Sequence, residues 1–300
     1  MRSMKSRGFA YGSVGALATL VCSCLLTADL HRLDSETNSP VASSEAGTSI
    51  EGGTGDGTGG GCSADMVTIT GVKGASGTFC VDAYEVSVAD YRAFVASAPD
   101  PATHDQGSLC TWNTTFNPST TGGCTSYDLA AVNREAPIAC IDWCDAHAYC
   151  ASVGKRLCGN LDASRPTNPL RDGTNGGDGD FATSEWYAAC SADGTKLYPY
   201  GNDADVAACV DRASGPQARG TTTCEGGYPG LHDMSGNVAE WDNTCQSGAA
   251  PEADGCRARG GAFWAANDPP KTDLLRCDSI QGGNRASAYN DRGFRCCKTP

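Results

Sequence analysis

The residues with the most chemical potential lie together in the run GLHDMSGNVAEWDNTC, from Gly230 to Cys245. Asp233, Glu240 and Asp242 supply carboxylates, Ser235, Gly236 and Asn237 make a turn, and Trp241 follows. Ca²⁺ takes about six to eight hard oxygens at adaptable geometry, and backbone carbonyls count among them. Gly236 and Asn237 are residue types that tolerate the left-handed backbone of a tight turn, which lets carbonyls converge. Trp241 is placed to pack beneath such a loop. The same residues also describe a plain turn whose acids face water, and the residues alone leave both readings standing.

The other reactive side chains are thiols and imidazoles. Eighteen cysteines are scattered along the chain and are not grouped in pairs at zinc-ligand spacing. Scattered cysteines of this number read as the disulfide framework of an exported protein. The histidines are His31, His104, His147 and His232. His147 falls in a helical pattern and reads as packed or surface, not as a ligand. There is no Ser-His-Asp arrangement and no glycine-rich phosphate loop. The run RDGTNGGDGD (Arg171 to Asp180) hints at calcium, but its spacing is not that of an EF-hand and no glutamate closes it. It reads as a solvated surface insertion.

Charge and composition bound the setting in which these residues work. With 22 Lys and Arg against 35 Asp and Glu, the chain carries −13 and has no basic face for nucleic acid. Arg2, Lys5 and Arg7 precede an apolar, small-residue run from Phe9 to Leu26, the pattern of a signal peptide. Inside that run, Val21-Cys22-Ser23-Cys24 resembles a bacterial lipobox, with Cys24 as the lipidated residue. Cleavage before Cys24 removes the three basic residues, so 19 against 35 leaves −16 on the mature chain. Residues 24–61 drift to Ser, Thr, Gly and acids and end in GGTGDGTGGG, too poor in apolar surface to order themselves. They read as a flexible tether.

The folded part is expected over residues 62–300 as one domain. GTFCVDAYEV (Gly77 to Val86) reads as a strand turning towards a helix. Ser87 with Asp90 three residues on is an N-cap for the helix VADYRAFVASA, residues 88–98. IDWCDAHAYCASV (Ile141 to Val153) is a second amphipathic helix, stopped by Gly154. Thr183 to Cys190 is a third, shorter one. The remainder is rich in Gly, Asn, Asp and Pro with short apolar runs. That is an α+β domain with much irregular chain, which disulfides and metal must fix.

These segments also spell a pattern in order: MVTI, FCVDAYEVSVADYRAFV, PIACIDWCDAHAYCASVGKRLC, SEWYAAC, YPYGN, GLHDMSGNVAEW, RGGAFW and DRGFRCC. The chain resembles the formylglycine-generating enzymes, or sulfatase-modifying factors, from Cys62 to Cys297. The resemblance implies a compact, irregular α+β fold distantly like C-type lectins, with bound calcium. It places that calcium on the side chains of Asp233 and Glu240 and the carbonyls of Gly236 and Val238. A second family calcium site has Cys209 where active members offer asparagine, which puts that site in doubt. The resemblance also implies the disulfides Cys150–Cys296 and Cys190–Cys277. Cys209 with Cys224, and Cys245 with Cys256, are near enough in sequence to clip one loop each.

Active members oxidise a sulfatase cysteine to formylglycine with O₂ and a copper ion held by two thiolates. The positions of those thiolates are Ala265 and Thr272 here, a conserved-type arginine position is Ile280, and ANDPPKTDLL between them is longer than usual. Cu(I) is soft and prefers sulfur, so copper is not expected and no catalytic residue is assigned. The reading is a calcium-stabilised binding or scaffold domain at a bacterial cell envelope, held to the membrane by lipid and facing a protein or glycan ligand. The alternative is a formylglycine-generating oxidoreductase. An aromatic floor of Phe263 and Trp264 without thiols favours binding, whereas converging Cys or His side chains favour chemistry. Mass spectrometry of the mature N-terminus is expected to find lipidated Cys24; an unmodified terminus beyond Cys24 would sink the anchor.

Overall fold

The computed structural model describes residues 61–300 apart from 74, 76, 105, 162–183, 210–214, 268 and 269. They fall within one compact unit, Gly57–Pro300. The lipobox, residues 24–60 of the tether with His31 among them, and the whole Arg171–Asp180 insertion lie outside the described residues.

Short apolar runs give short strands. Among the described residues they form two four-stranded sheets. The first has the order β1-β2-β8-β3, from Met66–Ile69, Phe79–Asp82, Cys296–Lys298 and Arg156–Leu157, and every pairing is antiparallel. The second has the order β6-β5-β4-β7, from Ile280–Asn284, Gly255–Arg259, Ala239–Gln246 and Arg292–Gly293. Here β4 and β7 run parallel, which sets Glu240 opposite Gly293.

The first three helices each start behind a side-chain cap. Ser87 accepts from the Asp90 amide, and helix α1 covers Val88–Ala96. It stops short of the predicted residue 98 because Ala98 turns to a positive φ of 50°. Helix α2 covers Trp143–Ser152, two residues later than predicted at its start. Asp142 is its N-cap and Asp145 reaches back to the Asp142 amide, closing a capping box that excludes Ile141 from the helix. Helix α3 covers Glu185–Ser191 behind the Ser184 cap, and α4 is a single turn at Val206–Cys209.

Two apolar clusters flank the first sheet. Tyr91 and Phe94 of α1 and Trp143 and Tyr149 of α2 pack with Trp241 and Phe294. Ile69, Phe79 and Val81 pack with Trp186, Leu231 and Met234 on the other side. Eight disulfides use all sixteen cysteines from Cys62 onward: 62–80, 110–144, 124–140, 150–296, 158–297, 190–277, 209–224 and 245–256. Adjacent residues of a strand point to opposite faces, so Cys296 reaches Cys150 on α2 while Cys297 reaches Cys158 after β3.

Candidate functional site

The Gly230–Trp241 loop is built from left-handed backbone. Asp233, Gly236 and Asn237 have φ of 55°, 81° and 50°. Asn237 ties the turn to three neighbours. Its Nδ2 donates to Glu85 Oε2 at 2.8 Å, its Oδ1 accepts from the Gln217 amide at 2.9 Å, and its carbonyl accepts from the Phe263 amide at 2.9 Å. The Gly236 amide donates to the Gly260 carbonyl at 2.8 Å. Gly260 has φ +87°, and a Cβ there would come within 2.8 Å of the Met234 carbonyl oxygen. The double glycine of RGGAFW is therefore what lets the two loops touch.

The two predicted carboxylates sit on different partners. Asp233 is 1 % exposed, and its oxygens accept from the Gly220 amide at 2.6 Å and the Thr222 hydroxyl at 3.0 Å. Glu240 accepts from Arg295 Nε and Nη2, both at 2.7 Å, and from the Trp186 indole N–H at 2.7 Å. Arg295 is fully buried, and its remaining donors reach the carbonyls of Asp82, Ala83 and His232. Trp241 lies on the opposite face of β4 from Glu240 and packs towards α2. It holds the strand, while Trp186 is the tryptophan beneath the carboxylate.

Glu85 completes the cluster and was missed by sequence reasoning, as were Trp186 and Arg295. It is fully buried and bonds Asn237 and, at 3.3 Å, the Val238 amide. Burial pushes its carboxyl well above the usual range, and the charges of Asp233 and Glu240 push it further. All three residues stand in the quoted segments DAYEV, SEWYAAC and DRGFRCC, but nothing in their spacing says that they meet.

The donor types of these residues are oxygens, which a hard cation takes, but the Glu240 oxygens are already engaged by Arg295 and Trp186. Glu85, Asp233 and Glu240 are three buried carboxylates beside one buried guanidinium. A carboxylate offers about four lone-pair sites, so Asp233 keeps capacity beyond its two bonds. Among the described residues no three Asp, Glu, His or Cys side chains form a metal cage. A cation here needs backbone carbonyls, as in the predicted set with Gly236 and Val238. At the doubtful second site, Cys209 is bonded to Cys224.

The positions of the family thiolates, Ala265 and Thr272, carry no sulfur in this chain. Ala265 is fully buried against Tyr198, Cys209, Cys224 and Leu275. Thr272 opens a 3-10 turn, Thr272–Leu275, and Ile280 begins β6. Phe263 lines a cleft, while the Trp264 indole donates to Asp291 Oδ2 at 2.6 Å with Lys271 Nζ 5.1 Å from the ring centroid. His147 stacks on Trp143 with ring centroids 5.1 Å apart.

Removing one partner of a buried ion pair leaves the other charged and unpaired. Arg295→Gln is expected to lower the unfolding free energy by about 3–5 kcal/mol in denaturant titrations followed by tryptophan fluorescence. A loss of under about 1 kcal/mol, the range of an exposed pair, would show that Glu240 does not depend on it.

Comparison with known proteins bears on this geometry. The profile of the sulfatase-modifying factor enzyme 1-like domain matches residues 39–300. A protein of Bos taurus named inactive C-alpha-formylglycine-generating enzyme 2 is 28 % identical over 176 residues, 54 % of this chain and 50 % of that one. The serine/threonine-protein kinase pkn1 of Chlamydia caviae is 28 % identical over 180 residues, 54 % of this chain and 24 % of that one. The chain thus spans half or less of the length of these curated relatives. Among solved structures, PvdO from Pseudomonas aeruginosa aligns at 16 % identity and a TM-score of 0.49, covering 78 % of this chain and 91 % of that one. Treponema denticola variable protein 1 aligns at 15 % identity and a TM-score of 0.46, covering 78 % and 95 %. With the profile matched over most of its length, the chain belongs to the sulfatase-modifying factor family, that of the formylglycine-generating enzymes.

Proposed function

We propose that this chain is a non-catalytic binding or scaffold member of its family, exported and held by lipid at a bacterial cell envelope. One observation carries the reading. Every cysteine from Cys62 to Cys297 is spent in a disulfide, so no described thiolate remains to hold a soft copper ion. Ala265 has no donor atom, and the Thr272 hydroxyl is a hard ligand. A relative whose name marks it as inactive accords with a scaffold that persists without the oxidation.

Export is supported by the disulfides, which persist in oxidising compartments. Among the described residues no helix is long and apolar enough to cross a membrane; attachment at Cys24 is the anchor in this reading. Calcium has a structural role here. Asp233 and Glu240, with the carbonyls of Gly236 and Val238, would hold it in this reading.

Two measurements test these statements. Copper-loaded protein, incubated under oxygen with a sulfatase peptide carrying C-x-P-x-R, is expected to give no aldehyde product by mass spectrometry or hydrazine labelling. Formylglycine above a no-enzyme control would overturn the non-catalytic reading. Calcium chelation is expected to lower the thermal midpoint by roughly 5–10 °C, as for a ligand near a hundred times its dissociation constant on a domain of this size. A melting curve unmoved by chelator and by added calcium would remove the metal from the site.

A further inference from the structure

Of the eight bridges, Cys245–Cys256 differs from the other seven in three independent ways. It encloses the shortest loop, with a sequence separation of 11 against 15 to 146 for the others. A short loop restricts the unfolded chain least, so this bridge draws the least support from it. Its Cα atoms are 3.9 Å apart, whereas the other pairs span 4.5 to 5.7 Å. Disulfides ordinarily take a Cα separation of about 4.4–6.8 Å, and a bridge outside that range is easier to reduce. Third, Cys245 is partly exposed. Six of the other bridges join two buried cysteines, and only Cys62–Cys80 also has a partly exposed member. That pair has an ordinary Cα separation of 5.5 Å and a longer loop.

The register accounts for the close approach. Cys245 stands directly opposite Cys256 in the antiparallel β4–β5 ladder. Opposed Cα atoms in such a ladder are about 4.5–5.5 Å apart, so the bridge draws the two strands nearer than the ladder does. The ladder is also interrupted just before it. Glu240 pairs with Arg259 and Trp241 with Ala258, the register then shifts, and Cys245–Cys256 and Gln246–Gly255 pair beyond the shift. The end of β4 is thus a two-pair segment, set off by a bulge and clamped by one bridge. It runs into the exposed residues 246–249.

The surroundings do not depend on that clamp. Strand β5 pairs with β6 along its whole length, Gly255 to Arg259. Asp254, just before it, accepts from the Gly248 amide at 2.8 Å and from Arg285 Nη2 at 2.9 Å. Glu240, with its bonds to Arg295 and Trp186, lies on the other side of the bulge. Opening the bridge is therefore a local event.

We propose that Cys245–Cys256 is a thiol–disulfide exchange site, opened by a dithiol while the other seven bridges stay closed, and that its opening frees the end of β4. A thiolate of the dithiol attacks Cys245 Sγ, on the partly exposed partner. The Sγ–Sγ bond breaks, and its electron pair leaves with Cys256 Sγ, which takes up a proton. The second thiolate of the dithiol then attacks the first one's sulfur in the mixed disulfide, and Cys245 leaves and takes up a proton. Two electrons pass to the cysteines, and the dithiol is oxidised to a disulfide. The site is distinct from the family thiolate positions at Ala265 and Thr272 and does not rest on the non-catalytic reading.

Thiol mapping tests this. The full chain is treated with dithiothreitol at neutral pH without denaturant, quenched at intervals with N-ethylmaleimide and analysed by mass spectrometry. Cys245 and Cys256 are expected to be labelled at least about tenfold faster than any other pair. Hydrogen exchange of the singly reduced protein should quicken at residues 245–250 and stay unchanged around Glu240 and Arg295. The double variant Cys245→Ser with Cys256→Ser should lose the fast labelling phase and keep the slow ones. First opening at another bridge, opening of all eight together, unchanged exchange at residues 245–250, or a fast phase that survives in the variant would each overturn the proposal. If the variant does not fold, the order of labelling in the unaltered chain decides the question alone.

Discussion

The pair formed by Glu240 and Arg295 is the contact on which the rest of the structure depends. Both groups are buried, so each needs the other. A desolvated guanidinium has five N–H donors to satisfy, and a desolvated carboxylate several lone pairs. Arg295 uses its donors on Glu240 and on the carbonyls of Asp82, Ala83 and His232. One side chain thereby fixes the exit of β2, the entry of the Gly230–Trp241 loop and the start of β4. Trp186 adds α3 through its indole N–H. Four stretches far apart in sequence are held at one point by directional bonds, which apolar packing alone does not provide.

Around that point the disulfides restrain a chain that has little regular structure. Among the described residues the strands are two to eight residues long and the longest helix has ten. Crosslinks that close long loops restrict the unfolded chain most, and those at Cys150–Cys296 and Cys158–Cys297 span 146 and 139 residues. Both end on β8, the strand that follows Arg295 directly. The covalent and the ionic restraints thus converge on the same C-terminal segment. The shorter links, such as Cys209–Cys224 and Cys245–Cys256, clip local loops whose backbone has few other partners.

The same crosslinking decides what chemistry is left. A soft metal needs thiolates, and the sulfurs of this domain are oxidised in pairs. The place of one family thiolate has been filled by apolar packing: Ala265 sits with Tyr198 and Leu275 against the Cys209–Cys224 bridge.

Local signals were legible in the chain. Ser87 was legible as a cap because a short side-chain oxygen satisfies an orphan amide within three residues, whereas Asp142 and Ser184, read as inside their helices, cap them in the same way. The boundaries moved by a residue or two where a capping box or a left-handed residue intervened. The pairs Cys150–Cys296 and Cys190–Cys277 came from resemblance to a family, and Cys158–Cys297, Cys110–Cys144 and Cys62–Cys80 had no sequence signal at all. The Gly230–Trp241 loop was visible as a loop with acids, because turn residues and carboxylates declare themselves locally. That Asp233 would bond Gly220 and Thr222, that Glu240 would meet Arg295 and Trp186, and that Glu85 would join them was decided only by the tertiary structure. The physical reason is that burial and charge pairing depend on residues brought together across 11 to 153 positions of chain, and no local pattern records which partner will share a desolvated site.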